Sequence, residues 1–202
     1  MKLKDLLSPR YMWFGATRNI GAGKPIANKL FGKYLIATNV ITSGVLMSIG
    51  DMILQEIEIQ KGKQIFPKLK KRYDWKRVHR MFWVGIIQGP PQHIFFKCLD
   101  KYYPGHDYIS IMKKILLDQV IQSPLCIALF FVSNGILEGQ EFSVTVSELK
   151  KKFIVVYCID WLLWPPAQVL NFYYVPPQYR VLYVNLTTLM YNVFLSFTKH
   201  RE

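Results

Sequence analysis

Negative charge is scarce in this sequence. Only 13 Asp and Glu stand against 26 Lys and Arg, for a formal net charge of +13. Cysteine is scarcer still. Cys98, Cys126 and Cys158 sit singly inside apolar segments with no CxxC spacing, which excludes a disulfide framework and a structural zinc site. They read as reduced thiols packed like small hydrophobes. No GxSxG, HExxH, Walker A loop or GxGxxG occurs, and no Cys-His arrangement has a third orienting group. An enzyme is therefore not expected: no catalytic residue, cofactor site or metal site is assigned. The start carries no secretory h-region, because the first long apolar run begins only near Tyr34. No RNA-binding motif is present either.

What is abundant is apolar surface. Hydrophobic residues make up 51% and aromatics 15%, although the mean hydropathy is only +0.13. Apolar blocks alternate with basic connectors, a pattern of polytopic membrane proteins rather than of soluble nucleic-acid binders. The chain divides into a basic amphipathic arm (1–33), one membrane-embedded helical domain (34–198) and a charged tail (199–202). Leu3, Leu6 and Leu7 between cations suit either an uncleaved mitochondrial address or a solvated basic arm. The fold class is all-α, a polytopic bundle of four to five helices with several kinked at proline. A faint internal repeat runs through it: a carboxylate-bearing span (Asp51, Asp118) is followed in each half by one broken at Pro-Pro (Pro90-Pro91, Pro165-Pro166).

The most informative stretch is KFIVVYCIDWLLWPPAQVLNFYYVPPQYR, Lys152 to Arg180. It has the length of a membrane span but too many polar residues for a plain anchor. At helical spacing Asp160, Trp164, Gln168 and Asn171 share one stripe. Pro165 and Pro166 donate no backbone hydrogen bond, so the carbonyls of Trp161 and Leu162 lose their usual partners. Such a helix is expected inside a bundle. In the span from about Tyr34 to Gln55, Gly44, Ser48, Asp51 and Gln55 line one face. In the next, about Val78 to Leu99, Gly85 and Gly89 form a GxxxG ahead of His93, predicting a close crossing and a hydrogen-bonded histidine. In the third, about Ile109 to Leu137, Pro124 should free the carbonyl of Val120, and Lys114 should pair with Asp118 one turn on.

Each aspartate near a bilayer centre costs about 2.5–3.5 kcal/mol if exposed to lipid. Asp51, Asp118 and Asp160 must therefore be protonated, paired or turned inward. Together with Gln55, His93, Gln119, Gln122, Gln168 and Asn171 they form the candidate polar interior or pore. Two readings stand: a hydrated, cation-favouring path, or hydrogen bonds that set helix register. The basic connector 56–80 offers Lys70, Lys71, Arg72, Lys76 and Arg77 to RNA or anionic headgroups, or serves as an ordinary juxtamembrane loop. Expected partners are the lipid bilayer, a ribosome through these basic segments, and a second copy of the chain as a homo-oligomer.

Trp161, Trp164, Pro165, Gln168, Asn171, Phe172, Pro176 and Arg180 carry a resemblance to a known signature. It is that of the Mpv-seventeen / peroxisomal membrane protein twenty-two family of small organelle membrane proteins. Gly50-Asp51 with Gln55, Gly89-Pro90 with His93, and Asp118-Gln119 with Pro124 extend the likeness over about residues 30–198. LEGQ (Leu137 to Gln140) and VPPQYRVLYVNLTTL (Val175 to Leu189) look most like the Mpv-seventeen-like protein 2 branch. The resemblance implies a multi-pass bundle in the mitochondrial inner membrane, with the peroxisomal membrane as runner-up. It also implies a role in mitochondrial ribosome assembly and translation, or a channel for small solutes or ions.

Overall fold

Apolar runs surrounded by lipid fold as helices because a helix satisfies its backbone hydrogen bonds within one segment. The computed structural model describes residues 29–60, 73–105 and 107–198, with 191–198 as backbone only, and contains no strand among them. Most of the basic arm, the connector residues Lys70, Lys71 and Arg72, and the tail lie outside the described residues. A π turn, Lys29–Lys33, leads into α1 (Leu35–Gln60), and α2 is Trp75–Tyr102. α3 (Tyr108–Leu117) continues through a second π turn, Asp118–Gln122, into α4 (Ser123–Glu138). α5 (Phe142–Tyr174) and a 3-10 turn, Pro177–Tyr179, precede α6 (Arg180–Thr198). Counted with α3 and α4 as one rod, this is the all-α bundle expected from the sequence. α1, the α3–α4 rod and α5 are each long and apolar enough to cross a membrane.

The bundle is turned inside out relative to a water-soluble one. Its buried side chains include more polar than apolar ones, whereas Ile36, Ile41, Ile94, Ile109, Leu116, Ile154 and Leu162 face outward. That inversion is what a lipid solvent selects, since lipid tails give apolar side chains no reason to cluster. Cys98 and Cys158 follow it, being free and on the outer surface rather than packed inside.

Helix ends are set by local chemistry. Asp74 caps α2 by accepting from the backbone amides of Lys76 (3.0 Å) and Arg77 (3.2 Å). Asp107 does the same for α3, accepting from the Ser110 amide at 3.0 Å. Gly139, at φ 70°, takes the left-handed conformation that ends α4.

α1 and α2 cross backbone to backbone. A Cβ placed on Gly85 would lie 2.6 Å from the Ser43 carbonyl oxygen and 2.7 Å from the Gly44 Cα, and one on Gly89 would lie 2.8 Å from the Val40 Cα. The GxxxG expectation thus holds, with Gly44 as its partner. The prolines behave differently from expectation. α2 runs unbroken through Pro90-Pro91 and α5 through Pro165-Pro166. Each proline removes a ladder donor yet keeps a near-helical φ, and a packed bundle tolerates the loss. The third pair, Pro176-Pro177, does end a helix, in the turn between α5 and α6.

Pro124 also acts otherwise than predicted. The amide of Ser123 bonds to the carbonyl of Asp118, five residues back. In that π register the carbonyl opposite Pro124 is that of Gln119, not Val120. The Tyr157 hydroxyl of α5 donates to it at 3.1 Å. The defect in one helix is thereby closed by a side chain from another.

Candidate functional site

Four polar clusters occupy the bundle interior. At the start of α2, Arg77 pairs with Asp51 of α1 at 2.7 Å and with Glu58 at 3.0 Å. Gln55 donates to Asp51 at 2.8 Å and accepts from the Asp74 amide at 2.7 Å, tying the cap of α2 to α1. Arg77 therefore closes the end of this crossing, while its sequence neighbour Lys76 stays exposed. Arg80 pairs with Glu138 at 3.3 Å, linking α2 to the end of α4.

Deeper in the α1–α2 pair, Asn39 and His93 are joined at 2.9 Å through the amide nitrogen and Nδ1. The hydroxyl of Ser43 accepts from Asn185 of α6 at 2.7 Å. His93 is thus held by a hydrogen bond, as the isolated position of this histidine suggested.

The π turn and α5 form the third cluster. Gln168 donates to Asp118 Oδ2 at 2.9 Å, and Gln119 donates to the same oxygen at 3.2 Å. Asn171 in turn donates to Gln168 Oε1 at 2.7 Å. Nearby, Ser123 donates to Asp160 Oδ2 at 2.7 Å, bridging α4 to α5. Neither Asp118 nor Asp160 meets a cation among the described residues. Gln122, also buried, contacts the Cys126 Sγ at 3.3 Å through Nε2, and its Oε1 has no partner.

The fourth cluster was not foreseen. Lys114 and Arg180, both almost fully buried, converge on Asp100 at the end of α2, with Lys114 at 3.1 Å. The expected Lys114–Asp118 pair does not form, because Lys114 points to the α2 end of the bundle while Asp118 enters the interior. Both cations also stand over the Phe172 ring, at 5.4 Å for Lys114 and 5.1 Å for Arg180. Phe172 lies within the apolar cluster of Phe96, Leu99, Ile111, Ile115, Val181 and Val184. Arg180 carried only a motif match in the sequence, and Asp100 was given no role; nothing local joined residues eighty positions apart.

Between these clusters lies a cavity of about 360 Å³, to which α1, α2, α4, α5, α6 and the second π turn all contribute. Of the residues expected in the interior, Asp118, Gln122, Asp160 and Gln168 line it; Asp51, Gln55, His93, Gln119 and Asn171 stand outside it. Its remaining wall includes Phe96, Phe130, Phe131 and Trp164. The wall therefore mixes acid, amide and hydroxyl groups, Gln88, Gln92 and Thr188 among them, with aromatic and aliphatic side chains.

The Mpv17/PMP22 family model matches residues 135–196, which include α5, the cluster residues Gln168 and Asn171, and Arg180. Among curated proteins, the chain is 38% identical over 165 residues to PXMP2/4 family protein 4 of Dictyostelium discoideum, covering 81% of this chain and 86% of the relative. It is 32% identical over 163 residues to mitochondrial inner membrane protein Mpv17 of Mus musculus, covering 80% and 89%. It is 29% identical over 169 residues to peroxisomal membrane protein 2 of Bos taurus, covering 83% and 85%. No solved structure matches the chain. A helical bundle with a polar interior, the signature running from Trp161 to Arg180, and relatives matched over most of their length lead to one assignment: the chain belongs to the Mpv17/PMP22 family.

Proposed function

We propose that this chain is a multi-pass protein of the mitochondrial inner membrane whose bundle interior passes small polar solutes. One observation carries the reading: a cavity of about 360 Å³ lies among the helices, with Asp118 and Asp160 in its wall and no cation among the described residues paired with them. Carboxylates placed where lipid would penalise them mark a solute or ion path. The membrane is suggested by the name of the mouse relative. Reconstituting the full chain in a planar bilayer tests the path. Asp118→Asn is expected to change conductance or ion preference; a silent wild-type protein would remove the idea. Imaging of the tagged chain tests the compartment, and colocalisation with peroxisomes would overturn the mitochondrial assignment.

A second reading, a membrane-tethered factor for mitochondrial ribosome assembly and translation, rests on the branch resemblance and on one feature of α2. Trp75 and Lys76 are both exposed at its start, within the basic connector. Cations interleaved with aromatic rings bind RNA phosphates and bases. Replacing Lys70, Lys71, Arg72 and Lys76 with Gln should weaken association with ribosomes and leave membrane insertion intact. Unchanged association would count against it.

A further inference from the structure

We infer that the central cavity is a binding site for a small organic cation, specifically a primary ammonium carried on an aromatic or aliphatic body. The inference rests on the reading of the interior as a solute site and adds the chemistry of the solute. Two acidic side chains alone would not define a ligand. The second observation is the lining they share, in which Phe96, Phe130, Phe131 and Trp164 bring aromatic rings to the same cavity.

The acceptors suit an ammonium. Both donors to Asp118, Gln119 and Gln168, take Oδ2, so Oδ1 is left without a protein donor among the described residues. Ser123 takes Oδ2 of Asp160. These donors, with the Trp164 side chain on Asp160, hold both carboxylates as acceptors, and no Lys or Arg among the described residues neutralises them. Asp118 and Asp160 thus present carboxylate acceptors, and a primary ammonium has three N–H donors to share between them. A metal ion fits less well. Ca²⁺ and Mg²⁺ need about six or more oxygen ligands, and no group of three or more His, Cys, Asp or Glu is gathered among the described residues.

The apolar part of the lining selects the body of the ligand. Phe96, Phe130 and Phe131 lie in it, and Trp164 stands between Asp160 and Gln168 on the same stripe of α5. Such rings attract organic cations and cover their apolar parts. The volume, about 360 Å³, lies in the lower part of the range of about 300–1,000 Å³ for small-molecule pockets.

The test uses the full chain in lipid nanodiscs, titrated calorimetrically with phenethylammonium chloride and with its neutral isostere 2-phenylethanol, empty nanodiscs serving as the lipid background. Saturable binding of phenethylammonium, at least about ten-fold tighter than the alcohol, is expected. Asp118→Asn and Asp160→Asn should each weaken it about ten-fold or more. The wild-type comparison needs no variant and survives a misfolded one. Equal binding of the two probes, or no binding above empty discs, overturns the inference. Complete displacement by 100 mM potassium also overturns it, in favour of a hydrated-cation site. Binding is read without flux, so the two proposals separate: conductance without ammonium binding defeats this one alone, and binding without conductance defeats the path alone.

Discussion

Arg180, the first residue of α6, pairs with Asp100, the third-last residue of α2. Its side chain is 1% exposed, and the same carboxylate also receives Lys114 at 3.1 Å. One acid therefore holds two buried cations from separate helices, with Phe172 beneath both. Removing that acid leaves uncompensated charge in a dry site. Asp100→Asn is expected to destabilise the bundle by about 3 kcal/mol, read from denaturant unfolding followed by far-UV circular dichroism in detergent. Arg180→Lys should recover little of the native packing over Phe172, because an ammonium lacks the planar fork and its stacking face.

The α1–α2 crossing has no room for a methyl group. Gly85→Ala should destabilise by about 1–3 kcal/mol, as overpacking does. Gly32→Ala is the matched control, since nothing lies within 4 Å of a Cβ built there. The same unfolding assay should show Gly32→Ala unchanged within about 0.5 kcal/mol. Equal effects of the two would place the close contact elsewhere.

Asp51 and Arg77 should be energetically coupled. Arg77→Gln leaves the Asp51 carboxylate, 3% exposed, without its counter-ion. Asp51→Asn in the same chain should recover part of the loss. A double-mutant cycle is expected to give a coupling of about 1–3 kcal/mol, and additive effects would mean the pair contributes no net attraction.

Acid should loosen the start of α3. Hydrogen bonds from the Ser110 hydroxyl and then its backbone amide hold the Asp107 carboxyl below its ordinary value of 3.8. A depressed folded-state pKa gives stability that is complete above the unfolded value and is lost as pH falls through the folded one. Amide exchange in residues 108–112 should therefore be flat from pH 7 to about pH 5 once corrected for intrinsic rates, and should rise below about pH 4. Asp107→Asn should remove that acid limb while keeping a cap.

The sequence disclosed what periodicity can carry. Asp160, Trp164 and Gln168 read as one stripe, and all three line the cavity. Gly85 and Gly89 read as a close crossing and are one. It disclosed less wherever the partner lies on another helix. Asp51 read as a pore residue, but its nearest cation was twenty-six positions away and took it out of the cavity. Lys114 was assigned the nearest acid on its own helix, and tertiary packing gave it Asp100 instead. The prolines misled for a related reason. A missing donor is a local fact, while its replacement, such as Tyr157 reaching Gln119, belongs to the bundle.

The glycine seam also settles where movement can occur. α1 and α2 approach at Gly44, Gly85 and Gly89 through backbone atoms, which cannot change rotamer, so this seam has the least room to rearrange. α4 and α5 meet near the cavity through side chains such as Ser123 and Asp160, whose hydrogen bond can be traded for one to a solute. On the proposed path, the contacts that would have to yield to a solute are those between α4 and α5, joined by the short turn at Gly139.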